Sequence, residues 1–287
     1  GGAGGPFVPY MSGADQIART ECAATWNTSL GCQALQALAA GGNYNTAMGG
    51  EAGTAITTGD QNVALGYQAL QTEDTGSRNV AIGAYALKDL NNNALSYNVG
   101  VGYAAGLSIS TGTENVLIGG LAGDALTTGA GNVALGFRAL SAEDAHGGNT
   151  ALGYSALRLQ NAGADAYNVA VGYNAGEAVS TGTDNAILGS LAGDALTTGS
   201  YNVAIGKSAL STEDAHGRNV AIGYGALYGQ DAGSDAYNVA IGFNAGVSVS
   251  TGINNTLIGG QSGLTISEGW GNTYMGKDSG QSTTIGN

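Results

Sequence analysis

Two segments of this 287-residue chain carry Glu-Asp-Ala-His-Gly: Glu143, Asp144 and His146, and 70 residues later Glu213, Asp214 and His216. An imidazole beside carboxylates is a metal-ligating set. If three chains lay around an axis, three copies of His146 would meet there and could hold an ion. The matching segment one cycle earlier, Glu73-Asp74-Thr75-Gly76, lacks the histidine. Polar segments of this kind read as solvated turns, so no metal is assigned. Asp124 and Asp194 recur in Ala-Gly-Asp-Ala-Leu-Thr-Thr-Gly. Calcium-binding rolls need denser Asp at short, regular spacing, and that nonapeptide pattern is absent.

Catalysis has little to stand on. There is no nucleophile–base–acid set, no Gly-x-Ser-x-Gly elbow with a partner His, and no phosphate-cradling loop. Neither a catalytic residue nor a cofactor is expected. A polysaccharide depolymerase would need two carboxylates about 5–9.5 Å apart in a groove. Glu143 and Asp144 come nearest, and their adjacency in one loop argues against the role. Aromatic residues form two sets: Tyr67, Tyr103, Phe137, Tyr154, Tyr173, Tyr224 and Phe243, and Tyr44, Tyr97, Tyr167, Tyr201 and Tyr237. Such rows could stack on sugars, having an apolar face and a polar edge. The plainer expectation is that they pack over the bends of the backbone.

All these residues ride on one repeat. Asn-x-x-x-Gly-x-x-Ala recurs fifteen times, from Asn27 to Asn272, at spacings of 17 to 19 residues, with Ser replacing Ala twice. Fixed self-similarity of this kind signals a stacked solenoid. With the Asn as position 0, positions 1 and 3 are apolar or Thr and position 2 is mostly Ala, as in Asn79-Val-Ala-Ile82. That alternation predicts a short strand, with positions 1 and 3 on one face and 0 and 2 on the other. A second strand is expected where Leu107-Ser-Ile109-Ser, Val247-Ser-Val249-Ser and Leu264-Thr-Ile266-Ser alternate. The fold class is therefore all-β: a parallel β-solenoid, or β-roll, of about fifteen rungs.

Stacking predicts a structural ladder of Asn62, Asn79, Asn132, Asn149, Asn202 and Asn219 with Gly66, Gly83, Gly136, Gly153, Gly206 and Gly223. Amides one strand spacing apart can hydrogen-bond to one another along a column. A superperiod of 70 residues, or four rungs, overlies the repeat, and its rungs are expected to differ mainly in their loops. Position 8 follows it as Leu70, Leu87, Gly106 and Gly123. Small residues at positions 2 and 7 form an Ala stripe. On an outer face the stripe would admit a neighbouring backbone, which favours three chains side by side. The competing reading puts the stripe inside a narrow, solitary roll.

Composition bounds the partners. With 8 Lys plus Arg against 21 Asp plus Glu, the formal charge is −13. No basic stripe exists to neutralise phosphates or anionic lipid, so neither nucleic acid nor a membrane surface is expected. No run of 18 apolar residues and no signal-peptide pattern occurs. The two cysteines, Cys22 and Cys32, could pair or stay free. Residues 1–26 hold both prolines and read as a cap or a joint to a preceding segment, with 27–287 as the solenoid domain. Thr283-Thr284-Ile285-Gly286 reads as the start of a sixteenth rung, with more chain expected beyond it.

The string Asn-Val-Ala-Ile-Gly at 79–83, 202–206, 219–223 and 238–242 resembles the head repeats of trimeric autotransporter adhesins. The longer form from Thr198 to Leu210 looks like repeats of bacteriophage tail fibres and spikes, with Lys207 where those repeats have Tyr. The resemblance covers residues 27–286, although the rungs are several residues longer than those of the adhesins. It implies a left-handed β-roll homotrimer that serves as a structural and adhesive rod on a virion. Its partners would be other tail or fibre proteins at the ends and a host surface receptor, carbohydrate among the candidates. A C-terminal self-cleaving chaperone domain often follows in the phage group. The alternative is a bacterial surface adhesin head. An ice-binding solenoid would need Thr pairs on every rung, whereas Thr57-Thr58, Thr127-Thr128 and Thr197-Thr198 recur once per cycle.

Overall fold

The computed structural model describes residues 26–213 and 215–281, together with the backbone of residues 18–21. Its strands, in chain order, are β1 (Ala18–Glu21), β2 (Asn27–Leu30), β3 (Thr46–Met48), β4 (Val63–Leu65), β5 (Val80–Ile82) and β6 (Val99–Val101). There follow β7 (Val116–Ile118), β8 (Val133–Leu135), β9 (Thr150–Leu152), β10 (Val169–Val171) and β11 (Ala186–Leu188). The last are β12 (Val203–Ile205), β13 (Val220–Ile222), β14 (Val239–Ile241), β15 (Thr256–Ile258) and β16 (Thr273–Met275). They form one sheet whose spatial order is the chain order. Fifteen of the strands, β2 to β16, run parallel, one per turn of an all-β solenoid. Each residue pairs with its own repeat position, as in Val63↔Val80, Ala64↔Ala81 and Leu65↔Ile82. β1 lies antiparallel on β2 and covers its free edge. The proposed sixteenth rung lies outside the described residues.

Each strand stops at the glycine of position 4. Its φ lies between +111° and +142°, a region closed to residues with a Cβ. From Gly31 to Gly259, a Cβ here would sit 2.2–2.6 Å from the carbonyl oxygen of the next rung's glycine. Backbone stacks on backbone at this corner, and only hydrogen fits between.

Left-handed residues turn the rest of the rung. They occupy position 6 (Gln68, Tyr85, Arg138), position 8 (Leu70, Leu87, Gly106) and the residue before each Asn (Arg78, Tyr97, Tyr201). These bends explain why the expected second strand is absent. Ile109, Val249 and Ile266 donate their amides to Gly106, Gly246 and Gly263, three residues back, at 3.0–3.2 Å. The segments are turns, although Ser108 and Ser110 still bond the next rung through Asp124 and Thr127.

The asparagines hold the column together. Each Asn from Asn45 to Asn272 donates its backbone N–H to Oδ1 of the preceding Asn, in an unbroken series of 2.7–3.2 Å. In most rungs Nδ2 donates to a carbonyl fourteen residues on, as Asn62 does to Gly76 and Asn115 to Gly129. The ladder is thus chiefly side chain to backbone. Direct amide-to-amide bonds join a few pairs, such as Asn79 to Asn62 and Asn115 to Asn98.

Positions 0 and 2 point inward, and positions 1 and 3 outward. Ala64, Ala69, Ala81, Ala86, Ala134 and Ala139 are all within 1 % of full burial. The Ala stripe therefore lines the interior of a single chain, and the expectation that it offers an outer face to a second backbone is overturned. The four rungs of a superperiod also differ in their cores, not mainly in their loops. Where position 8 is Leu, position 11 is mostly Glu or Gln; where it is Gly, from Gly53 to Gly263, position 11 is Ile, Leu or Val. The space above Gly106 is taken by Leu117, Leu87 and Ile109, which stand 2.7–3.0 Å from where its Cβ would be. Bulk shifts from one side of a narrow interior to the other while packing stays dense.

Gly136→Ala is expected to cost about 3 kcal/mol or more, because backbone must move as well as strain. Gly131→Ala, at φ +67° with nothing within 4 Å of its Cβ, should cost only about 1 kcal/mol. Parallel denaturation of the two variants checks the ranking; equal losses would contradict it.

Candidate functional site

Position 11 places one carboxylate per superperiod inside the roll. Glu73, Glu143 and Glu213 are completely buried. The Glu-Asp-Ala-His-Gly segments are therefore not simply solvated turns: the glutamate faces in, while Asp144 is exposed and His146 and His216 are partly exposed. A buried carboxylate costs several kcal/mol unless its oxygens find donors. Glu73 finds them in backbone amides, with Gly76 donating to Oε1 at 2.7 Å and Asn92 to Oε2 at 3.3 Å.

The two histidine-bearing loops are satisfied less well. His146 N–H donates to Glu143 Oε1 at 3.1 Å, and His216 N–H to Glu213 Oε1 at 3.1 Å. The imidazole Nδ1 atoms stand 3.5 and 3.4 Å from the same oxygens. Glu143 Oε2, Glu213 Oε2 and both Nδ1 atoms are buried without a hydrogen-bond partner. Asn149 and Asn219 also leave Nδ2 unpartnered. Their rungs are two residues longer than 17, which carries away the carbonyl that other rungs supply. Burial pushes the carboxyls of Glu143 and Glu213 up, opposed by the histidine amides and by the imidazoles. Each histidine turns to a glutamate of its own chain. Glu143, Asp144 and His146 bring ligand atoms within 4.8 Å of one another, as do Glu213, His216 and Asp231. Asp214 lies outside the described residues. Asp144 is exposed beside the buried Glu143, and their ligand oxygens lie within 4.8 Å of each other, closer than the carboxylate pair of a depolymerase. Asp194 accepts a hydrogen bond from Ser211 at 2.5 Å, while burial pushes the Asp124 carboxyl up.

The outer face of the sheet is apolar. Met48, Ile82, Leu135, Leu152 and Leu188 at position 3, and Val169 at position 1, stand in solvent in the single chain at 36–48 % exposure. Beside them run the aromatics, which do not simply cover the bends. Tyr67, Tyr85 and Tyr103 meet edge to face, and Phe137, Tyr154 and Tyr173 stack, with centroids 5.3–5.8 Å apart. Tyr224 stacks on Phe243 in the same way. Most of these rings stay half exposed. The other aromatic column carries cations: Arg78 lies over Tyr97, and Arg218 lies between Tyr201 and Tyr237. An open groove of about 520 Å³ runs between Leu191, Lys207, Tyr224, Tyr228, Asn244 and Val247.

Cys32 is exposed and unpaired, and Cys22 lies outside the described residues. No helix among the described residues is long and apolar enough to cross a membrane. Comparison with known protein families, curated proteins and solved structures yields no match for this chain.

Burial raises the Glu73 carboxyl from 4.5 to about 7, against its two amide donors. Between those values the folded chain holds a proton that the unfolded chain releases. The stability that proton confers is complete below pH 4.5 and is lost as pH rises through 7. Glu73→Gln should remove this slope, worth on the order of 3 kcal/mol. Thermal midpoints of both proteins from pH 4.5 to 8 check it; superimposable pH profiles would contradict it.

Proposed function

We propose that this chain is a non-enzymatic structural and adhesive rod of a phage tail fibre or spike, built as a homotrimer of left-handed rolls lying side by side. The observation that carries the reading is the apolar outer face of the sheet. Val, Ile, Leu and Met at positions 1 and 3 repeat on nearly every rung and stay partly or fully exposed in one chain. Contiguous apolar surface on this scale marks an association interface. The parallel, in-register stack gives a column of roughly 70 Å, from fifteen rungs at about 4.8 Å each. Three such rods meeting along their sheets would bury the face throughout its length.

The half-exposed rings beside it present apolar faces with polar edges, the surface chemistry that carbohydrate recognition uses. A carbohydrate on the host surface is accordingly the receptor class we assign. The shared Asn-Val-Ala-Ile-Gly string favours one second reading, a head domain of a bacterial surface adhesin built on the same rungs.

Light scattering should return three times the 28.1 kDa of one chain. Leu152→Glu combined with Leu188→Glu should shift the mass to that of one chain while leaving the far-UV spectrum intact. A single-chain mass for the unaltered protein would sink the trimer.

A further inference from the structure

The Glu-x-x-His turns have a chemistry that the rod does not use. Each pairs a fully buried carboxylate with an imidazole whose Nδ1 faces it, and each leaves Oε2 and Nδ1 without a protein partner. The same atoms are left over in both turns, 70 residues apart. The cognate turn acts as an internal control. With Gly76 in place of His, Glu73 engages both oxygens with backbone amides, and none of its atoms is orphaned. Where the histidine is present, the unsatisfied atoms appear with it.

The Nδ1···Oε1 separations are 3.5 and 3.4 Å, longer than a charge-assisted hydrogen bond and shorter than a water bridge. A direct N–H···O bond to a charged oxygen would be about 2.7–2.9 Å. A water bonded to both atoms at about 2.8 Å would hold them about 4.5 Å apart. An ion bound at about 2.0–2.2 Å by both, in tetrahedral geometry, sets them about 3.4 Å apart. We propose that each turn is a site for a divalent transition cation of the zinc class, held within one chain by Glu143 and His146 with Asp144, and by Glu213 and His216 with Asp231. The third carboxylates lie within 4.8 Å of the other ligand atoms. Imidazole nitrogen selects this class over magnesium or calcium. Two carboxylates balance the charge of the ion, and the partial exposure of each histidine leaves a path of entry and room for water. The ion would tie each loop to the core. This proposal is independent of the trimer and of any receptor.

The test uses the full chain, freed of metal by chelator and dialysis, and titrated with Co²⁺ and with Zn²⁺. Two equivalents should bind per chain, with Co²⁺ developing the visible bands of nitrogen-coordinated metal. His146→Ala should remove one equivalent, and His146→Ala with His216→Ala should remove both. Asp231→Asn should weaken only one site. Because both histidines are partly exposed, the double variant should melt with the metal-free parent; Glu143→Gln with Glu213→Gln gives a second way to abolish uptake. Absence of uptake, or two equivalents retained in the double-histidine variant, would overturn the proposal.

Discussion

One hydrogen bond, repeated, governs this molecule: the amide of each asparagine donates to the side-chain oxygen of the asparagine one rung before it. The residue preceding every Asn is left-handed, with φ between 51° and 76°, and swings the chain through a corner into a dry interior. The Asn N–H arrives there buried, where a missing acceptor would cost about 1–3 kcal/mol. The neighbouring Oδ1 supplies that acceptor, and in most rungs the same side chain's Nδ2 closes the turn. One residue thus joins adjacent rungs and seals its own. A serine or threonine hydroxyl would have to accept and donate through one atom, whereas the asparagine amide does so through two separate atoms, Oδ1 and Nδ2.

Everything inside the roll is scaled to that column. Stacked corners admit only glycine at position 4, and the strip beneath the strands is mostly alanine, with the larger Leu117, Ile187 and Leu257 at position 2, four rungs apart. Larger side chains alternate between positions 8 and 11, and Leu87 at position 8, Ile109 at position 11 and Leu117 at position 2 fill the space beside Gly106. The buried glutamates occupy position 11 where Leu takes position 8. Bulk that the interior cannot hold is turned outward, and the sheet consequently shows its branched residues to its surroundings.

Much of this could be read from the sequence. The Asn and Gly period located every strand from β2 to β16, because a repeat of fixed length maps directly onto rungs. Period-two alternation separated two faces, but alternation alone does not say which face is inside. The large residues of positions 1 and 3 look like core, yet Ala64 and Ala81 are the buried ones. Leu107-Ser-Ile109-Ser alternates as a strand would, and the left-handed Gly106 before it makes a turn. Leu70 and Leu87 hide the same conformation, since nothing in a leucine announces a positive φ. Glu143 passed for a solvated charge because polarity is the usual sign of exposure. The matching size change at position 11 was the available clue.

The account rests on asparagine side chains serving as acceptors for the next rung. Through-hydrogen-bond scalar coupling in a ¹⁵N,¹³C-labelled sample measures this directly. Correlations from the backbone ¹⁵N of Asn132, Asn149 and Asn202 to the side-chain ¹³Cγ of Asn115, Asn132 and Asn185 are the predicted result, given bonds of 2.9–3.0 Å. Correlations to backbone carbonyls instead, or amides that exchange at the rate of unprotected peptide, would contradict it.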